Sequence, residues 1–160
     1  HAEEQLMETG RDLDEPAAMV ERFLASPRAA EIASASEAYR ELEFLLVWPP
    51  DGHKAATGGR AHEPDGRYLQ GFIDCLYCDA AGQWRIVDYK TNHVTADTMA
   101  AKAEEYELQM FVYALAAERI LKRPPVELTL CFLRPGLEYG FTWDAAARQR
   151  VVELVDRALP

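Results

Sequence analysis

The chain has 160 residues, room for one domain rather than two, and 49% of it is apolar, enough for a core. Lys and Arg total 17 against 27 Asp and Glu, a net charge of −10 that speaks against tight nucleic-acid binding by this segment alone but supplies acids to hold a cation. No window approaches the roughly 18 uninterrupted apolar residues of a membrane span, and the polar, acidic first residues carry no signal-peptide pattern.

In chain order, residues 14 to 34 predict two short helices. Asp14 caps the first, Pro16 sits in its first turn, and Met19, Val20, Phe23 and Leu24 form its apolar face. Ser26-Pro27 opens the second, which carries Ala29, Ala30 and Ile32. Tyr39 to Trp48 reads as a strand, stopped by Pro49-Pro50-Asp51-Gly52. Residues 49 to 66 then predict a long loop, of the kind that is functional or mobile in compact domains. Two strands follow, Tyr68 to Cys78 and Trp84 to Lys90, joined as a hairpin through Asp79-Ala80-Ala81-Gly82. The stretch from Asp97 to Leu121 predicts one long helix, with Pro124-Pro125 past its end. Val126 to Leu133 is a buried strand, and Asp144 caps a last helix that runs to Ala158. This αβββαβ order with N-terminal helices implies an α/β fold, a mixed central sheet flanked by helices, formed by residues 1 to 160 as one unit.

The three cysteines, Cys75, Cys78 and Cys131, are few and odd in number, which fits a reducing cytoplasm. Cys75 and Cys78 look like a metal half-site, but three residues apart on a strand they point to opposite faces. With no second CxxC, they are expected to stay unpaired and to hold neither a metal ion nor an iron–sulfur cluster.

The chemistry concentrates on the hairpin. An acid interrupts the apolar strand Gly71-Phe72-Ile73-Asp74, and an acid and a lysine interrupt Val87-Asp88-Tyr89-Lys90. Asp88 and Lys90, two apart, share a face. If three or five residues connect the strands, paired positions sum to 162 and Asp74 faces Asp88. Facing carboxylates on a half-buried sheet repel and are costly to desolvate, unless a divalent cation lies between them. A lone strand acid is more often a strand-end residue paired with Arg or Lys; an acid on each strand plus a lysine favours a site. Downstream, Tyr106, Gln109 and Tyr113 form one helical stripe, and Leu108, Phe111, Val112 and Leu115 form another on roughly the opposite side. Two large stripes imply a helix covered on both sides. Residue types alone assign Tyr106 and Tyr113 to core cover.

Gly71-x-Ile73-Asp74, then Val87-Asp88-Tyr89-Lys90-Thr91, then Gln109-x-x-x-Tyr113 resembles the nuclease domain of the AddA and RecB helicase–nuclease subunits, within the PD-(D/E)XK superfamily. The resemblance covers most of the chain and implies a restriction-endonuclease-like core. It implies Asp74, Asp88 and Lys90 as catalytic, the acids binding Mg²⁺ (Mn²⁺ as an alternative), with the backbone carbonyl of Tyr89 completing the metal shell. Arg40-Glu41-Leu42-x-Phe44 resembles the strand ahead of the hairpin in AddA-type proteins, which points to Glu41 as a further active-site acid. Glu43, on the same face by parity, is read as a solvated strand residue. Family members carry a metal-ligating His far upstream. His1 stands where it could fall, and the other reading of His1 is a truncation or tag residue. His53, His62 and His93 have no such match and read as loop residues. In the family the stripe of Tyr106, Gln109 and Tyr113 faces the active site and the DNA.

Two readings of function follow. One is a Mg²⁺-dependent deoxyribonuclease, acting as an exonuclease in double-strand break processing and recombinational repair. It partners DNA, a helicase motor in the same full-length chain and a second subunit. No GxxxxGK[ST] motif occurs, so the motor lies outside this sequence. The other is a non-catalytic module of the same fold that binds DNA or a partner, which the acidic charge favours. A stand-alone nuclease of the superfamily is a third reading. Nothing resembles a Ser-His-Asp set, and no covalent intermediate is needed.

Overall fold

In the computed structural model, residues 15–50 and 67–158 are described. Asp14, the interior of the long loop and His1, His53 and His62 lie outside the described residues.

Helix α1 covers residues 15–24 and α2 covers Pro27–Ala33. Ser26 caps α2, its hydroxyl accepting from the Ala29 N–H at 3.2 Å, and Pro27 supplies a first-turn residue with no donor to satisfy. The apolar face expected of α1 is half covered. Met19 is buried and Phe23 packs edge-on against Tyr89, whereas Val20 and Leu24 are exposed.

Among the described residues, five strands form one sheet in the order β1 (Glu37–Trp48), β2 (Arg67–Cys78), β3 (Trp84–Lys90), β4 (Glu127–Phe132) and β5 (Leu137–Phe141). The β3–β4 pair is parallel and the other three pairs are antiparallel, so the sheet is mixed, as expected. The hairpin turn is as read: Gly82 takes a left-handed φ of 77°, and Asp79 Oδ1 accepts from Ala81 N and Gln83 N, each at 2.9 Å.

Two elements depart from expectation. The helix over Asp97 to Leu121 is divided into α3 (Met99–Glu104) and α4 (Glu107–Leu121). No Gly or Pro marks the break; tertiary contacts of Tyr106, described below, override local propensity there. Strand β5 was not expected. It is only five residues long, but it alternates, with Tyr139 and Phe141 packed on the core and Glu138 turned toward Arg28. Helix α5 (Ala145–Ala158) begins as read, with Asp144 Oδ1 accepting from Ala147 N at 2.8 Å.

Helices cover both faces of the sheet. The larger core lies under α4 and α5 and includes Phe44, Leu46, Trp48, Ile86, Leu128, Leu130 and Phe132. The smaller one, under α1 and α2, gathers Ile32, Cys75, Tyr77, Val87 and Cys131. There Arg28 ties α2 to the sheet, bonding Tyr77 Oη at 2.8 Å and the carboxylates of Glu127 and Glu138. Cys75 and Cys78 fall in opposite cores and all three thiols are free and buried. Burial pushes the Cys75 thiol up, and Cys131 up to about 11, so these two stay protonated and unreactive. No helix among the described residues is long and apolar enough to cross a membrane.

Candidate active site

The sheet forks at the acids. Among the described residues, strand β2 pairs with β3 only from Cys75 to Cys78, and its other half pairs with β1 alone. Strand β3 continues past Val87 paired only with β4, Asp88 opposite Leu130 and Lys90 opposite Phe132. The β2–β3 register sums to 162, as Cys75↔Val87 and Leu76↔Ile86 show, and one further step sets Asp74 against Asp88. In place of a ladder bond there, the Tyr89 N–H donates to Asp74 Oδ2 at 2.9 Å.

Asp88 is 1% exposed and Lys90 Nζ lies 2.5 Å from its Oδ2. The two form a buried ion pair, and among the described residues Oδ2 has no partner other than that ammonium. Burial pushes the Asp88 carboxyl above the usual range; the contact with Lys90 opposes this, and the charge of Asp74 adds to it. Asp74 is therefore near enough to be felt electrostatically, and both acids act on Tyr113. The Tyr113 phenol is raised by burial first, and then by the charges of Asp88 and Asp74.

Helix α4 roofs the fork. Gln109 accepts from Lys90 Nζ at 3.1 Å through Oε1 and donates through Nε2 to Tyr113 Oη at 2.7 Å. Lys90 Nζ stands 4.3 Å from the centroid of the Tyr106 ring. Tyr113 packs edge-on against Phe44, and a Cβ at Gly71 would come within 2.9 Å of the Phe44 ring, so glycine leaves space for that pair. On its far side α4 packs Phe111 against Phe141 and Trp143. The helix is covered on both sides, and its polar stripe reaches Lys90 while Tyr106 and Tyr113 also pack on the core.

Glu41 enters by register. Arg40 pairs with Cys75 and Leu42 with Ile73, so Glu41 faces Asp74 at the one step where the β1–β2 ladder lapses. Its φ is 49°, a left-handed value unusual for a non-glycine residue. The strand changes face there. Leu42, Phe44 and Leu46 look into the larger core, and beyond the lapse Tyr39 stacks on Trp84 of that same core. Strand β2 switches in step, from Leu69 and Ile73 to Leu76 and Cys78. The parity that set Glu41 and Glu43 on one face is thus broken. Glu43 is an exposed strand residue bonded to Gln70 at 2.6 Å. Glu41 is exposed, and among the described residues no three His, Cys, Asp or Glu side chains converge closely enough to hold an ion. His93 is also exposed.

Sequence reasoning missed Asn92. Its Oδ1 accepts from Tyr106 Oη at 3.0 Å. Nothing in its spacing marked it; only the break between α3 and α4 brings the two side chains together.

A mixed sheet forked around two aspartates, with a lysine two residues after the second, defines a class. The model of the PD-(D/E)XK nuclease superfamily matches residues 2–159, and the chain belongs to that superfamily. Among individual proteins it is similar to the AddA subunit of the ATP-dependent helicase/nuclease of Oceanobacillus iheyensis, with 33% identity over 74% of this chain and 10% of that protein. The AddA subunits from Desulforudis audaxviator and Geobacillus thermodenitrificans are 36% and 34% identical, over 66% and 73% of this chain and 8% and 10% of theirs. The chain thus spans about a tenth of the length of these relatives.

Proposed function

We propose that the chain is a metal-dependent deoxyribonuclease that hydrolyses phosphodiester bonds, with exonuclease action on linear DNA. The carrying observation is the buried Asp88 carboxylate, with the Lys90 ammonium against its Oδ2 and Asp74 across the fork. Burying a carboxylate is costly and a second carboxylate nearby adds repulsion, while one ammonium offsets only one of the two charges. Both costs vanish with a divalent cation between the acids. Few protein oxygens, with water and a phosphate making up the rest, suit Mg²⁺, and Mn²⁺ can substitute.

Asp74, Asp88 and the Tyr89 carbonyl would hold the ion, with His1 as a further ligand. Bound there, it would polarise the scissile phosphate and acidify a water. Of the three ammonium N–H groups of Lys90, one faces Asp88 and one binds Gln109, which leaves one for the attacking water or a phosphate oxygen. Its charge offsets the negative charge that grows on the phosphate in the transition state. Gln109 and Tyr113 line the path of the DNA backbone. Glu41, opposite Asp74, completes the acids at the mouth of the fork and orients water.

The relatives' name extends the reading: residues 1–160 serve as the nuclease unit of a cytoplasmic ATP-dependent helicase–nuclease. Its motor lies elsewhere in the same chain, it works with a second subunit, and it processes double-strand breaks for recombinational repair. The net charge of −10 favours a second reading, a module of this fold that binds DNA or a partner without cutting. An assay on linear single- and double-stranded DNA with Mg²⁺ or Mn²⁺ separates them. Metal-dependent cleavage that is lost with Asp74→Ala supports the nuclease. Binding without cleavage, with metal and any partner domains present, supports the module.

A further inference from the structure

We propose that Asn92 and Tyr106 are positioning residues that hold the Lys90 ammonium in place; this rests on the nuclease reading of Lys90. A lysine head on a four-carbon stem is mobile unless several contacts converge on it. Three do: Asp88 Oδ2 at 2.5 Å, Gln109 Oε1 at 3.1 Å and the face of the Tyr106 ring at 4.3 Å. The first comes from its own strand and the other two from the start of α4. The ring contact is a cation–π interaction, attractive and weakly directional, so it needs its own anchor. That anchor is Asn92. It lies two residues past Lys90, and its amide oxygen accepts the Tyr106 hydroxyl at 3.0 Å.

The contacts close a circuit from Lys90 through the Tyr106 ring to Asn92 and back along the chain to Lys90. They also explain why the helix is broken here: Tyr106 occupies the junction between α3 and α4, outside the regular turns of either. Tyr106 therefore acts through its ring face, and its hydroxyl serves as a tie. This differs from Tyr113, whose hydroxyl accepts from Gln109. Removing either end of the Asn92–Tyr106 bond breaks the same tie, so the two losses must not multiply.

The test uses the 160-residue chain, whose four lysines make side-chain NMR signals simple to assign. In the wild type the Lys90 ε-protons should be shifted upfield by the ring current of Tyr106. The shift should shrink in Asn92→Ala and in Tyr106→Phe, and vanish in Tyr106→Leu. In parallel, kcat for DNA cleavage should fall about threefold to tenfold in Asn92→Ala and in Tyr106→Phe, the scale of one net hydrogen bond. The double variant should be no slower than either single one, with KM and Mn²⁺ affinity unchanged. An unshifted Lys90 signal in the wild type overturns the proposal. So do losses that multiply in the double variant, or an unchanged kcat where the shift is lost. If the wild type does not cut DNA even with metal and any partner domains present, the nuclease reading falls. In that case a Lys90 shift that depends on Asn92 still establishes the positioning.

Discussion

Asp88 sits in surroundings that disfavour its charge. Burial raises its carboxyl, the contact with Lys90 offsets part of this, and Asp74 adds to the rise. A carboxyl raised in the folded state burdens the fold at high pH. The penalty begins as pH climbs through the ordinary aspartate value and is complete above the raised one. Asp88→Asn should therefore raise the thermal midpoint of the metal-free protein at neutral pH. That gain should disappear below the ordinary aspartate range. Mg²⁺ should then stabilise the wild type and not the variant, because only the wild type binds it when folded. Thermal melts at two pH values, with EDTA or Mg²⁺, check both parts. Glu41 carries a second such tension, a non-glycine residue at φ 49°. Glu41→Gly should remove backbone strain on the order of 1 kcal/mol and yet lower cleavage, measured by melting and nuclease assay side by side. A variant that is both more stable and fully active would dismiss Glu41 from the site. The placement of Asp74 opposite Asp88, with Lys90 two residues on, was legible from the hairpin register and a period of two. The conformation of Glu41 was not: Arg40 and Leu42, its neighbours in the ladder, carry no Gly or bulge signal to mark a change of face.

Helix α4 serves the core with one side and the fork with the other. Tyr113→Phe keeps the ring against Phe44 and removes only the acceptor for Gln109. Gln109→Ala removes a contact to Lys90 but leaves the buried side of the helix intact. Each should slow cleavage while far-UV dichroism and the melting midpoint stay close to wild type. A Gln109→Ala protein that unfolds would instead make the stripe core cover. The stripe was readable because helical spacing fixes which side chains share a face. The break ahead of Glu107 was not, because it follows from where Tyr106 meets Lys90 and Asn92, contacts made only once β3 and α4 pack. Strand β5 was hidden for another reason. With five residues and Gly140 among them, Leu137–Phe141 is too short for its alternation to stand out.

At the scale of the molecule, the fork is a consequence of topology. A hairpin binds β2 to β3 at one end, β1 draws the rest of β2 away, and β4 keeps β3. The gap falls where the sequence places its acids, and an acidic chain of net charge −10 bears a lysine there, with its ammonium against a buried carboxylate. If that constellation is catalytic, metal binding and cleavage must separate on one substitution. The decisive measurement is calorimetric Mn²⁺ titration beside a DNA cleavage assay for wild type, Lys90→Ala and Asp74→Ala, with any partner domains present. Lys90→Ala should keep or strengthen metal binding, since a neighbouring positive charge is gone, while cleavage falls about a hundredfold or more, the scale of losing one preorganised electrostatic group. Asp74→Ala should lose metal and cleavage together. Undiminished cleavage by Lys90→Ala would contradict the account.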